Sequence, residues 1–212
     1  LLVGGVAGEA WAPRLGRAPT SWSGPVRLAV DARGALSNLR TVPQPLSGST
    51  VGEDEVELRV RAVGLNFRDV LNVLGEYPGD PGPPGGDCAG RVRALGAGGA
   101  AARLVLAAEV FGVAAGALAS VARTDARLLS PRAWRLSPEQ ACTLPTTWST
   151  VHAAFGLCGC AREHGLTVHA GAGGVGLAAA EYACWLCARV AMTAGRPHKH
   201  RCVRRVGAWG AA

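Results

Sequence analysis

The chain has 212 residues, 49% hydrophobic and 17% charged, which suits a folded core and excludes a wholly disordered polypeptide. The formal net charge is +7, and 21 of the 22 basic residues are arginine, with Lys199 the exception. No apolar run reaches the roughly 18 residues of a membrane helix. The apolar opening lacks a basic leader, so a cytoplasmic chain with no membrane partner is expected.

Residues 1–24 read as a linker, broken by Pro13, Pro19, Ser21 and Ser23, and with Leu1 in place of a methionine they are expected to lie inside something longer. Short strands follow. Residues 26–30 are apolar and end in the turn D-A-R-G at 31–34. Residues 56–63 alternate at period two, with Val56, Leu58, Val60 and Ala62 facing one way. Residues 67–74 have helical spacing, with Val70, Leu71 and Leu74 on one side and Asn66 as a cap. Residues 75–90 are rich in Gly and Pro and read as a long loop. Further strands are expected at 88–95, 104–113, 120–123 and 127–130, which together suggest a small, partly open β-barrel. Ser137 followed by Pro138 starts a helix to Cys142, and 146–157 reads as a second helix.

The most informative segment is L-T-V-H-A-G-A-G-G-V-G at 166–176. A strand at 166–170 runs into Gly171, Gly173 and Gly176, spaced G-x-G-x-x-G, and an alanine-rich helix at 177–188 follows. A dinucleotide site needs that order: the first glycine for the tight turn, the second for backbone approach to the pyrophosphate, the third for helix–strand packing. Only 36 residues follow Gly176, about one βαβ unit. The cofactor domain is therefore expected to be begun here and not finished, and the chain alone to bind cofactor weakly.

A second strand is expected at 190–193. An NAD site places Asp or Glu near its end for the ribose 2′-hydroxyl; this chain has Thr193, Gly195, Arg196 and Lys199 instead, which favours the 2′-phosphate of NADPH. The same residues open a basic cluster with Arg201, Arg204, Arg205, His198 and His200. No nucleic-acid-binding signature accompanies it, so no nucleic-acid partner is expected. Seven cysteines, an odd number, argue against a disulfide framework. Cys158 with Cys160 and Cys184 with Cys187 have metal-like spacing, but the latter pair is expected on a helix as small core residues. His152, His164 and His169 have no evident partner.

Four segments, G-L-N-F-R-D-V-L at 64–71 with G-E-Y-P-G at 75–79, G-G-D-C-A-G at 85–90, A-C-T-L-P-T-T-W-S-T-V-H at 141–152 and V-H-A-G-A-G-G-V-G at 168–176, resemble in order the medium-chain dehydrogenase/reductase superfamily. The closest branch is the enoyl reductase of type I polyketide synthases, and residues 11–17 resemble the linker before such a domain. The match fades at 206–212, and the family's Asp-Arg-Val is replaced near 107–111. The resemblance implies an α/β fold with a GroES-like N-terminal barrel and the first βαβ unit of a Rossmann domain. It divides the chain into a linker (1–24), a substrate-side lobe (25–145) and a partial NADPH-binding lobe (146–212).

It also implies chemistry: with NADPH, hydride goes to the β-carbon of a trans-2-enoyl thioester held on an acyl carrier protein, and a proton goes to the α-carbon. Neighbouring synthase domains are implied as partners, and a homodimer is a further expectation. The implied cofactor residues are Asn66, Thr150, Gly171, Gly173, Gly174, Val175, Gly176, Arg196 and Lys199. Lys199 also matches a candidate proton donor, and Tyr77 flanks the acyl cleft. Plainer roles stand beside these: Asn66 as a helix cap, Thr150 and Tyr77 as packing residues, and Lys199 as a surface lysine. Zinc-dependent alcohol dehydrogenases of this fold carry a cysteine ligand where this chain has Asn66 and Gly-His-Glu where it has Gly86, Asp87 and Cys88, so no metal is expected. The alternatives are a non-catalytic lobe that scaffolds or docks a carrier protein, and a free-standing zinc-independent quinone oxidoreductase.

Overall fold

Alternating burial along two long strands builds the larger half of the molecule. The computed structural model describes residues 23–45, 50–159 and 165–205. Strands β3 (Glu55–Gly64) and β4 (Asp87–Leu95) pair antiparallel at its centre. β6 (Val121–Asp125) flanks β3, while β5 (Glu109–Val113) and β7 (Leu129–Pro131) extend the sheet beyond β4. Val56 and Leu58 point inward with Cys88, Val92, Val110 and Leu129, forming one apolar core. The outer face is charged. Glu57 is shared by Arg93 at 3.2 Å and Arg123 at 3.0 Å, and Glu109 by Arg91 at 3.1 Å and Arg132 at 2.9 Å.

The hairpin of β1 (Val26–Val30) and β2 (Leu39–Pro43) docks on this sheet beside β6. Leu28 donates its N–H to the Leu118 carbonyl, and the Gln44 amide both donates to and accepts from the Val121 backbone. Past the barrel, α2 (Pro138–Ala141) and α3 (Pro145–Leu157) lead to β8 (Gly165–Val168), α4 (Gly174–Trp185), β9 (Arg189–Met192) and α5 (Pro197–Arg205). β8 and β9 pair in parallel. Val151 and Phe155 of α3 pack with Ala178, Ala179, Ala183 and Met192 into a second core. Alanines on one face of α4 allow the close approach of α3 and the strands.

Several expected elements change. The helix expected at 177–188 begins three residues earlier and ends at Trp185, with Cys187 beyond it at φ 57°. The strand expected at 104–113 starts only at Glu109. Residues 101–103 form a 3₁₀ turn, Val105 and Leu106 are exposed, and Ala107 turns the chain at φ 63°. Residues 126–128 likewise form a 3₁₀ turn before β7. Helix α1 (Phe67–Leu74) has the expected bounds, but its apolar stripe points the other way. Asn72 and Val73 are buried while Val70 and Leu74 are exposed, because Asn72 accepts from Arg33 and donates to the Gly82 carbonyl of the loop beneath. Loop contacts outweigh the stripe. The basic segment after β9 forms the helix α5.

Cys184 and Cys187 are exposed rather than core residues; among the described residues the buried cysteines are Cys88 and Cys142. Burial, helped by the neighbouring Asp87 charge, pushes the Cys88 thiol up to about 12. At about pH 8 its thiolate fraction is on the order of 10⁻⁴, and the thiolate is the reactive form. Alkylation of native protein should therefore label Cys158, Cys184 and Cys187 and spare Cys88 and Cys142 until denaturant is added. Peptide mapping checks this; labelling of Cys88 as fast as Cys158 would contradict it. The linker expected over 1–24 lies outside the described residues save for 23 and 24, as do Cys160, His164 and 206–212.

Candidate cofactor and substrate site

The glycine loop sits between β8 and α4, at the end of β9. Thr193 donates to the Val168 carbonyl and Gly171 donates to Thr193, so the loop is stitched to the second strand. Gly171 lies in the turn that the Gly173 N–H closes on the Ala170 carbonyl, and Ala170 is its left-handed residue, at φ 54°. Gly171 is needed for packing as well: a Cβ there would lie 2.5 Å from Met192 Cε and 2.8 Å from its Cβ. At Gly176 a Cβ would lie 2.6 Å from Gly171 Cα and 2.7 Å from the Ala170 carbonyl, so the helix rests directly on the loop backbone. Gly173, Gly174 and Val175 are exposed. The amides of Gly174, Val175 and Gly176 fall in the first turn of α4, where no intrahelical carbonyl exists to accept from them. An uncovered row of donors at a helix N-terminus fits a pyrophosphate.

Arg196 and Lys199 stand at the start of α5, both exposed. Neither meets a carboxylate among the described residues, and the first turn of α5 holds no acidic residue. Positive charge at the positive end of a helix dipole is unfavourable unless an anion joins it. The partners of His169 and His152 were not evident from the sequence: His169 Nδ1 lies 3.2 Å from Thr193 Oγ1, and His152 Nδ1 lies 2.7 Å from the Tyr182 hydroxyl.

The barrel contributes a cleft of about 570 Å³ lined by Asn66, Asn72, Gly86 and Thr146, among others. Asn66 starts α1, and Asp69 Oδ2 accepts its N–H at 2.9 Å while Asp69 Oδ1 accepts from Gly85. Thr150 is exposed on α3, and its hydroxyl donates to the Thr146 carbonyl at 2.6 Å. It lies one turn along from Thr147, whose methyl faces Gly174. Asn66 and the N-terminus of α3 thus share one cleft, and α3 reaches from it to the glycine loop. Tyr77 is not among the lining side chains; the Arg68 guanidinium stacks 5.3 Å above its ring. Lys199 is not among the residues that line this cleft. Among the described residues no three His, Cys, Asp or Glu side chains converge as a metal would need, and no helix is long and apolar enough to cross a membrane.

Sequence reasoning missed Asp87. Its side chain is 1% exposed, with Thr146 Oγ1 donating to Oδ1 at 2.6 Å and Thr146 N–H to Oδ2 at 3.1 Å. The two residues are 59 positions apart, so no local pattern announces them. The G-G-D segment, singled out for its resemblance, was the available signal.

Comparison with known proteins places the chain. The alcohol dehydrogenase GroES-like domain family matches residues 52–185. Polyketide synthase GfsB of Streptomyces halstedii is 38% identical over 184 residues, covering 85% of this chain and 3% of that protein. Erythronolide synthase EryA2 of Saccharopolyspora erythraea is 38% identical over 181 residues, covering 84% and 5%. Among solved structures, the CurK enoyl reductase superposes with a TM-score of 0.80 at 31% identity, covering 88% of this chain and 59% of that one. The mycobacterial protein Rv1454c complexed with NADPH gives 0.77 at 28% identity, covering 89% and 58%. The chain thus spans a few per cent of those synthases and under two thirds of those reductases. Its matched residues cover the central sheet, α3 and the glycine loop, and by them the chain belongs to the alcohol dehydrogenase GroES-like domain family.

Proposed function

We propose that this chain is part of an enoyl reductase of a type I polyketide synthase, which reduces a trans-2-enoyl thioester presented by an acyl carrier protein. The observation that carries the reading is the glycine loop: three glycines where side chains would collide or cover the donors, at the N-terminus of α4 and bonded to the end of β9. Similarity to the CurK enoyl reductase supports the reaction class, and similarity to synthases supports neighbouring domains as partners. NADPH supplies hydride when bound.

Gly174, Val175 and Gly176 would hold the pyrophosphate, and Arg196 with Lys199 the 2′-phosphate. Asn66 and Thr150 would meet the nicotinamide end. Placing the two reactants in contact and keeping water out is the protein's main contribution. Lys199 is proposed for the 2′-phosphate before any proton transfer, since it stands exposed beside Arg196. Tyr77, held under Arg68, is proposed to shape the loop beside the acyl cleft.

The test uses the enclosing synthase region, because the chain spans 59% of the CurK reductase. Loss of NADPH fluorescence should require a crotonyl thioester. Oxidation driven by a quinone instead would favour a quinone oxidoreductase, a fold neighbour at 28% identity. No oxidation with either acceptor would favour a scaffold lobe.

A further inference from the structure

Three of the four segments that carry the family resemblance meet at one joint. Gly64 ends β3, and a Cβ there would lie on the Cys142 carbonyl, so the α2–α3 corner sits directly on that strand. Opposite Gly64 in the sheet register stands Asp87, the first residue of β4. Its carboxylate is buried and spends both oxygens on Thr146, one on the hydroxyl and one on the backbone N–H. Thr146 lies in the first turn of α3. A buried carboxylate there satisfies a donor that the helix leaves unpaired and favours the helix dipole. One residue on, the Thr147 methyl lies 3.4 Å from where a Gly174 Cβ would be, against the exposed start of α4.

We propose that Asp87 is a positioning residue that fixes the distance between the substrate-side cleft and the glycine loop by clamping the N-terminus of α3 through Thr146. The inference rests on the nucleotide-site reading of that loop. Asp87 touches neither reactant; with both oxygens committed, it acts through the helix. Thr146 itself lines the cleft, so movement of this turn changes both sides of the site at once. Gly64 and Asp87 are then two halves of one seat: the glycine admits the corner and the carboxylate holds it.

Hydrogen–deuterium exchange on the chain without cofactor tests the clamp. Thr146→Val keeps the shape and the backbone N–H but removes the hydroxyl, Asp87→Asn removes the charge, and Thr146→Ser restores the hydroxyl. Expected is at least tenfold faster exchange of the bonded amides of Gly171, Gly173 and Leu177 in Thr146→Val and Asp87→Asn, wild-type exchange in Thr146→Ser, and no change over 88–92 of β4. Faster exchange confined to 144–150 would make Asp87 a local cap only and overturn the proposal. Should Asp87→Asn lose protection everywhere, the Val and Ser pair decides alone. A separate arm adds NADPH to the enclosing synthase region. Its failure to protect 171–177 would count against the nucleotide reading and leave the clamp result standing.

Discussion

Gly176→Ala should cost about 3 kcal/mol of stability, the upper part of the usual range for forcing atoms into a packed interior. The added methyl would lie 2.6 Å from Gly171 Cα and 2.7 Å from the Ala170 carbonyl. Both are backbone atoms, so no rotamer change relieves the collision; α4 must lift from the loop. The gain of roughly 1 kcal/mol from placing Ala rather than Gly in a helix offsets only part of this. Gly171→Ala should also destabilise, because its Cβ would lie 2.8 Å from the Met192 Cβ, which is fixed to the buried strand β9, although the Cε at 2.5 Å can swing away. Gly174→Ala is the control: its Cβ would meet only the Thr147 methyl at 3.4 Å, and the site is exposed. That variant should melt within about 0.5 kcal/mol of wild type yet bind NADPH less well, since its methyl would stand over the donor row. Urea melts of the three variants, with NADPH titration of the last, check the series. Wild-type stability of Gly176→Ala would show that the loop does not carry the helix.

What could be read from the sequence follows from how local each signal is. The bounds of α1 were legible because Asn66 and Gly75 punctuate it, and Gly75 takes the left-handed conformation that ends helices. Its buried face was not legible, since Asn72 is drawn inward by Arg33 and the Gly82 carbonyl, from distant parts of the chain. β3 was legible through alternation and sits at the sheet centre, where one face is buried. β2 was missed: it buries little and owes its conformation to pairing with β1. The apolar residues at 104–106 imitate a strand, yet Val105 and Leu106 face solvent and Ala107 turns the chain without a glycine. In the site, G-x-G-x-x-G was legible, although the left-handed residue of its turn is Ala170 and the packing of its first glycine on Met192 was not. Asp87 and Thr146 are joined only by folding.

Reversing charge at Arg196 and Lys199 should abolish the preference for NADPH over NADH while leaving NADH binding within about twofold. Both residues follow β9, whose end is bonded to the glycine loop through Thr193 and Gly171, so the segment leaves the strand beside the bound ribose in the proposed site. Neither has a carboxylate partner among the described residues, and no acidic side chain occupies the first turn of α5. Hydrogen bonds to a charged group contribute roughly 1.5–3 kcal/mol each. Because both side chains are exposed, screening by water and salt favours the lower end of that range. Even one such contact gives about tenfold between the cofactors. Arg196→Glu with Lys199→Glu should therefore weaken NADPH by tenfold or more, and the loss should shrink as salt is raised. His200 lies on the same helix and bonds the Ala194 carbonyl at 2.5 Å, so it anchors the segment and should be left intact. Titrations of the enclosing reductase region with both cofactors at two ionic strengths decide the matter. Equal losses for NADPH and NADH would mean that the substitutions disturb α5 as a whole. An unchanged NADPH affinity would place the 2′-phosphate elsewhere and return Lys199 to the surface.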